Sequence, residues 1–411
     1  MDCRHCKSPL ELVLVDLDES PPSNSYLTDP DGPESSYPLR VLVCDNCWLV
    51  QTEDFAQADE FFATDYAYFS SFSSSWLAHA KAYVDHVADR FGLDETNFVV
   101  EIAANDGYLL QYVQEKGIPC LGVEPTASTA EAARAKGIEI VGEFFGAAVG
   151  QRLAAGGRQA DLTAANNVLA HVPDINDFVG GFTALLKPNG VATFEFQHLV
   201  PLVEECLFDT VYHEHYSYLS LTSVTRVLHE NGLEVFDVEE LPTHGGSLRV
   251  YSQRSDADRP RPRADAVDEL LAREEAAGVK TVGFYQGFQP RVDAIRDGLI
   301  DFLAKSAADG TSVAAYGAAA KGNTLLNYCR VDAGQIDFVV DANPHKQNQY
   351  LPGSHIPIVD EQRLKDAKPD YVLILPWNLM PEISQQLSYV SDWGGRLLRA
   401  VPAIEFVESL R

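Results

Sequence analysis

The sequence predicts an α/β protein, with two units built on largely parallel sheets behind a small cysteine-rich lobe. Three patterns predict it. Strand–turn–helix alternation with short links runs from 97 to about 200, the mark of a parallel sheet covered by helices on both faces. A second, shorter run opens with "TSVAAYGAAAKGNTLLNYC" at 311–329. Two C-x-x-C pairs, "CRHC" and "CDNC", lie near the N-terminus. At 411 residues the chain exceeds one ordinary core. Units at 1–58, 59–253 and 254–411 accommodate it.

The lobe comes first. In a reducing compartment, Cys3, Cys6, Cys44 and Cys47 read as a tetrahedral thiolate zinc site. Four thiolates leave no open coordination position, so the zinc is expected to be structural. A lobe with so little core should need its metal to fold. The segment between the knuckles, "LDESPPSNSYLTDPDGPESSYP", is rich in Pro, Ser and Asp and reads as loop; it is expected to lie away from the chemistry. Cys120, Cys206 and Cys329 are isolated.

Next come a Tyr/Phe/Ser-rich stretch containing Tyr66 and a helix spaced from Trp76 to Phe91. In "VVEIAANDGYLL" an apolar strand ends at Glu101 and enters a turn of small residues: Ala103, Ala104, Asn105 and Gly107. Small residues let backbone approach a ligand at the carboxyl end of a strand. The next strand ends in "LGVEPT", where Glu124 is placed to accept hydrogen bonds from a ribose diol. A dinucleotide site wants G-x-G-x-x-G to seat a pyrophosphate, whereas this turn has one glycine and ends in Asp106. S-adenosylmethionine (SAM) has no phosphate and carries a sulfonium and an ammonium, which an acidic turn suits. In "TAANNVLAHVPD", Asn166 and Asn167 fall at a strand's carboxyl end facing the same crevice, with His171 on the following loop.

Residues 254–266, "RSDADRPRPRADA", mark a boundary. A helical region of about 266–308 leads into the last unit. There Lys321, Gly322 and Asn323 could meet a diphosphate at a helix N-terminus, and Asp341 ends the next strand. The spacing is not the Walker pattern, so ATP hydrolysis is not expected.

Composition excludes several classes. A net charge of −29 argues against a nucleic-acid partner. The longest apolar runs, such as "YVLILPW", fall short of a membrane span. The N-terminus has no apolar signal-peptide core, so a cytoplasmic monomer or small homo-oligomer is expected.

Six motifs in order, "CRHC…CDNC", "DYAYFSSFSSSWL", "VEIAANDGYLL", "ANNVLAHVPD", "YHEHYSYLS" and "YGAAAKGNTLLNY", give the chain a resemblance over essentially its whole length. It resembles the SAM-dependent sugar C-methyltransferases, and among them the C3-methyltransferases of dTDP-4-keto-deoxysugars. The resemblance implies a zinc lobe, a class I SAM-methyltransferase (Rossmann-like) domain and a second Rossmann-like domain that helps hold the nucleotide-sugar. It also implies a structural zinc on the four cysteines, and catalytic residues at Tyr66, His171, Tyr212, Glu214 and His215.

The segment "VYHEHYSYLS" (211–220) fits that chemistry better than a metal site. A helical zinc pair wants histidines at i and i+4, but His213 and His215 are two apart and, on an extended segment, face one side. Methylating carbon needs a carbanion equivalent. A 4-keto group acidifies the neighbouring C3, so a base can leave an enolate whose oxygen needs a donor. His215 is the expected base. Glu214 would orient or tune a neighbour, Tyr212 would donate to the oxyanion, and Tyr66 would close over the carbonyl or the methyl. The competing readings are a zinc-stabilised NAD(P) oxidoreductase using the C-terminal crevice and a non-catalytic nucleotide-sugar sensor. The dense acid/base cluster argues against the sensor.

Overall fold

The structure, a computed structural model, describes residues 1–55 and 69–407. Tyr66 lies outside the described residues. The N-terminal lobe is an antiparallel sheet of β1 (Leu12–Ser20), β2 (Tyr37–Val43) and β3 (Val50–Thr52). Each zinc knuckle closes on itself: the Lys7 amide donates to the Cys3 carbonyl at 3.1 Å, and the Trp48 amide to the Cys44 carbonyl at 2.8 Å. A fourth strand, β9 (Ser217–Tyr218), adds to the β3 edge from far along the chain.

The central sheet contains β4 (Val99–Ile102), β5 (Cys120–Val123), β6 (Ile140–Val141), β7 (Ala160–Asn166), β8 (Leu186–Gln197), β10 (Leu233–Leu241) and β11 (Ser247–Arg254). Its order is β10-β11-β8-β7-β4-β5-β6, parallel from β8 to β6 and antiparallel at the β8–β11 and β11–β10 pairs. From β4 the chain winds outward to β5 and β6, then returns to β7 on the other side. That reversal opens a crevice at the carboxyl ends of β4 and β7. All four β4 residues are buried, as expected of a strand covered on both faces. The helix Ser74–Phe91 covers one face. Ser73 caps its start, accepting from the Trp76 amide, and left-handed Gly92 ends it.

The third sheet holds β12 (Val313–Tyr316), β13 (Val339–Val340), β14 (Ile358–Val359), β15 (Tyr371–Ile374), β16 (Arg396–Arg399) and β17 (Glu405–Phe406), in the order β14-β13-β12-β15-β16-β17. Only the β16–β17 pair is antiparallel.

Two features of the packing tie the units together. The junction at 254 is not a packing boundary. Helix Asp265–Ala277 lies on β10 and on helix Leu221–Glu230, and its Val267 and Leu270 complete the core that holds Val235 and Val238. This helix therefore packs with the core of the central sheet. Nor does the lobe keep its core to itself. Leu14, Val15, Val41 and Val50 share one cluster with Val292, Leu299 and Leu326 of the C-terminal domain. Helix Phe288–Asp309 buries Phe288, Val292, Ile295, Leu299 and Leu303 at helical spacing, each contributing roughly 1.5–3 kcal/mol. Among the described residues, no helix is long and apolar enough to cross a membrane.

Candidate active site

A cavity of about 430 Å³ opens where the three sheets converge. Its wall takes Asn105 and Glu124 from the central domain, Tyr212 and His215 from the 211–220 segment, and Lys321 and Lys346 from the C-terminal domain.

The first crevice is shaped by backbone. Ala103, Asn105 and Gly107 have φ of 57°, 48° and 75°, a left-handed turn costly for any residue but glycine. The Glu124 carboxylate locks it, accepting from the Asn105 amide and the Thr126 amide at 2.9 Å each. A carboxylate has about four lone-pair sites, so capacity for a diol is left. The Asn105 side chain accepts from the Ser70 amide at 2.9 Å, tying the start of the covering helical segment to the turn. Gly107 is not on the cavity wall. A Cβ there would meet the Ile138 Cδ1 at 2.4 Å, so this glycine serves backbone conformation and close packing. Asp106 also turns away, pairing with Lys136 at 3.5 Å.

Glu101 sits wholly buried at the end of β4. Neither of its oxygens meets a donor at hydrogen-bond geometry among the described residues; the Tyr108 hydroxyl faces it without closing a sound bond. Burial pushes its carboxyl well above the ordinary range, and the Glu124 and Asp106 charges push the same way. The buried Asn166 side chain, on the wall, faces the same Tyr108 hydroxyl, and neither of its polar atoms closes a sound hydrogen bond among the described residues. Buried polar groups are normally satisfied. Glu101 is not itself on the cavity wall, which begins at Ile102 and Ala103; a carboxyl just behind that wall and an amide on it, beside a left-handed turn, fit a ligand that brings an ammonium and a carboxylate, as SAM does. Asn167, at φ 53°, also lines the cavity, its amide 3.4 Å from His244 Nε2.

The 211–220 segment is held from both sides. The β9 strand pairs with β3. Thr52 Oγ1 donates to the His215 carbonyl at 2.5 Å, and Thr324 Oγ1 to the Val211 carbonyl at 2.7 Å. Between these clamps the chain turns, the His215 amide donating to the Tyr212 carbonyl at 2.9 Å. The turn separates the two histidines expected on one side. His213 reaches back to the carbonyls of Tyr37 and Pro38, at 3.3 and 3.2 Å, while His215 faces the cavity.

His215 Nδ1 lies 2.9 Å from the Thr210 carbonyl. A carbonyl only accepts, so Nδ1 carries the proton and Nε2 presents the lone pair. The same logic fixes His171, whose Nδ1 lies 2.9 Å from the Glu214 carbonyl. Its ring centroid is 4.6 Å from that of His215, and Tyr212 lies over His215 at 3.9 Å. Burial drives both imidazoles down, His171 to about 4 and His215 well below its ordinary value with His171 adding to the effect. Both are therefore neutral at pH 7. Glu214 moves the other way. Burial raises it to about 7, opposed by a hydrogen bond from Asn24.

On the C-terminal side, Lys321 lines the cavity, donating to Asn378 Oδ1 at 2.9 Å and lying 4.5 Å over the Trp377 ring. Burial lowers its pKa against the pull of Asp209. Gly322 and Asn323 do not line the cavity. A Cβ on Gly322 would meet Leu375 at 2.8 Å, and the Asn323 amide donates to the Ser23 carbonyl at 2.6 Å. The start of the helix shows Ala319, Ala320 and Lys321 to the cavity and turns the next two residues into packing. Both Asp341 oxygens accept backbone amides, from Ala318 at 2.7 Å and Asn343 at 2.8 Å.

The inter-knuckle loop, expected to lie away from the chemistry, reaches the cavity. Asn24 lines it and donates to Glu214 Oε2 at 2.6 Å. Tyr108, His244 and Lys346 also line the cavity and were not singled out in the sequence. Tyr108 alone carried a signal, as the residue after the turn glycine.

The four cysteine sulfurs all lie within 4.8 Å of one another, with Cys3–Cys47 and Cys6–Cys44 at 3.5 Å. A tetrahedral zinc with bonds of about 2.3 Å holds its sulfurs roughly 3.8 Å apart, so the cluster fits the ion. Gln51 and Asn46 add side-chain N–H donors to Cys3 and Cys6, at 3.3 and 3.4 Å, the outer support such sites use.

Comparison with known proteins agrees with this architecture. Three family models match: a zinc binding domain over 3–62, a methyltransferase domain over 76–238, and a C-methyltransferase C-terminal domain over 242–402. The C-methyltransferase NovU of Streptomyces niveus is 35% identical over 404 residues, covering 98% of this chain and 95% of NovU. Among solved structures, the PH0226 protein of Pyrococcus horikoshii is 13% identical, covering 49% of this chain and 100% of that one, with a TM-score of 0.37. Magnesium protoporphyrin IX methyltransferase of Synechocystis is 15% identical, covering 44% and 78%, with a TM-score of 0.32; likeness at that level carries no argument. The enzyme is a class I methyltransferase, with SAM as methyl donor and zinc in its cysteine lobe. Matched along nearly its full length, the chain belongs to the C-methyltransferase family that includes NovU.

Proposed function

We propose that the enzyme methylates C3 of a dTDP-linked 4-keto deoxysugar. The observation that carries this reading is a neutral, backbone-pinned His215 in the same cavity as the Asn105–Glu124 turn. SAM, when bound, supplies an electrophilic methyl on a positively charged sulfur. Glu101 would take its ammonium, Glu124 its ribose diol, and Asn166 its remaining polar edge. His215 Nε2 removes the C3 proton, and the C–H pair becomes the C3–C4 double bond of an enolate. Tyr212 donates to the C4 oxygen as its charge grows, with the Lys321 ammonium adding field from the far wall. That pair would then serve, through C3, as the nucleophile for the methyl SAM supplies, the methyl's C–S bond breaking to leave the neutral thioether as the C4 carbonyl re-forms. An imidazole with so low a pKa is a weak base, so oxyanion stabilisation must carry much of the barrier. Lys321 can also hold the nucleotide end of the sugar. An oxidoreductase finds no support among these relatives.

The test is solvent exchange and product mass. In D2O without SAM, a dTDP-4-keto sugar should gain one deuterium at C3; with SAM it should gain one methyl. No exchange at C3 by any keto sugar that is methylated would remove His215 from the base role.

A further inference from the structure

The loop between the zinc knuckles is anchored on the C-terminal domain. The Ser23 carbonyl accepts from Asn323 at 2.6 Å, and the Tyr26 hydroxyl donates to the Ala318 carbonyl at 2.7 Å. Leu27 and Tyr350 exchange backbone bonds at 3.0 and 2.8 Å. Further out, Glu34 accepts from the Gly353 amide at 2.7 Å. Asn323, fully buried, spends its amide on this tether rather than on substrate.

These anchors flank one residue that points inward. Asn24 Nδ2 donates to Glu214 Oε2 at 2.6 Å, and its backbone N–H approaches the same carboxyl. Glu214 is 2% exposed, and its own carbonyl receives His171 Nδ1–H. The Glu214 turn is thus fixed at its backbone by one catalytic candidate and at its side chain by the loop.

We propose that Asn24 is a positioning residue of the active site: delivered by the inter-knuckle loop, it orients Glu214 and sets the fraction of that carboxyl that is ionised. Packing alone would not need an amide here, since the Ser23, Tyr26 and Leu27 contacts already pin the loop. Among the described residues, the charged and titratable groups facing Glu214 are Lys346, whose ammonium lies 5.1 Å over the Tyr26 ring, Tyr26 itself, Asp341 behind it, and the His171 ring. Of these, Lys346 favours the carboxylate through its charge, and Asn24 favours it by direct hydrogen bonding. Losing the amide therefore moves Glu214 further toward the acid form.

This inference deepens the proposed reaction and rests on it for its catalytic meaning, but its test does not need the sugar. The zinc-loaded, SAM-saturated enzyme is titrated by infrared difference spectroscopy, with E214Q identifying the Glu214 carboxyl band. In N24A the midpoint should rise by about one to two pH units, the worth of one hydrogen bond to a charged group. The pH limb of methyl transfer should move with it while the SAM Kd holds. An unmoved midpoint, or a uniform fall in kcat with an unmoved limb, overturns the assignment. If N24A loses zinc or melts early, N24S decides, because its hydroxyl should restore a midpoint near wild type. A wild-type enzyme inert toward every 4-keto sugar would refute the proposed reaction, and the band titration would still decide Asn24.

Discussion

Replacing Glu101 by Gln should separate two effects that the native carboxyl combines. In the sugar- and SAM-less enzyme this side chain is wholly buried, with neither oxygen in a sound hydrogen bond among the described residues. Its folded pKa stands well above its unfolded value. The sign follows directly: the native state binds this proton more tightly than the unfolded chain does. The group's contribution to stability therefore declines as pH rises from about 4.5 through the raised folded value. E101Q should melt higher than wild type without ligand, by a margin wider at pH 8 than at pH 5. SAM binding should suffer in the same variant. The contact to an ammonium is a charge-assisted bond worth about 1.5–3 kcal/mol, so the Kd should rise about 10- to 150-fold. Calorimetry in buffers of different ionisation enthalpy should also show proton release when wild type binds SAM, and much less in E101Q. A variant that binds SAM as tightly as wild type, or that melts lower in its absence, would refute the reasoning.

H215Q should cut C3 deuterium exchange by about 100- to 10,000-fold while leaving the SAM Kd in place; retained exchange would shift the base role to another group. The pH profile should show a limb near 7 that E214Q removes, and no limb near 6.5, because burial has moved His171 to about 4 and His215 well below its ordinary value. G107A should lose about 2–4 kcal/mol in urea unfolding, from a φ of 75° and a Cβ 2.4 Å from the Ile138 Cδ1. Chelating the zinc should lower the melting transition of the C-terminal domain as well as of the lobe, since Val41 and Leu299 share one core. Separate, unshifted melting of that domain would argue that the shared core is thermodynamically idle.

Local patterns were legible and long-range ones were not. The strands ending at Glu101 and Glu124 were readable because a covered parallel strand is apolar throughout and its turn must be small. The four cysteines were readable because the knuckle is a local shape. The sides of His213 and His215 were not, because a turn breaks the two-residue period that extended chain would keep. Gly322 and Asn323 missed the cavity because helix phase decides which of three consecutive residues faces out, and the motif does not encode that phase. Helix Asp265–Ala277 falls in the helical region read at about 266–308, but nothing local says which domain's core its Val267 will fill. Asn24 sat inside a polar stretch of low information, and only its tethers to Ala318, Asn323 and Tyr350 give it a place.

The two-residue strand β9 makes the 211–220 segment a rung of the N-terminal sheet. The three units are consequently not interchangeable parts. A chimera that swaps in another C-terminal domain to change the accepted sugar would keep the Tyr212–His215 turn only if residues 12–52 stayed in place beneath it, because that sheet is the jig on which the turn is set.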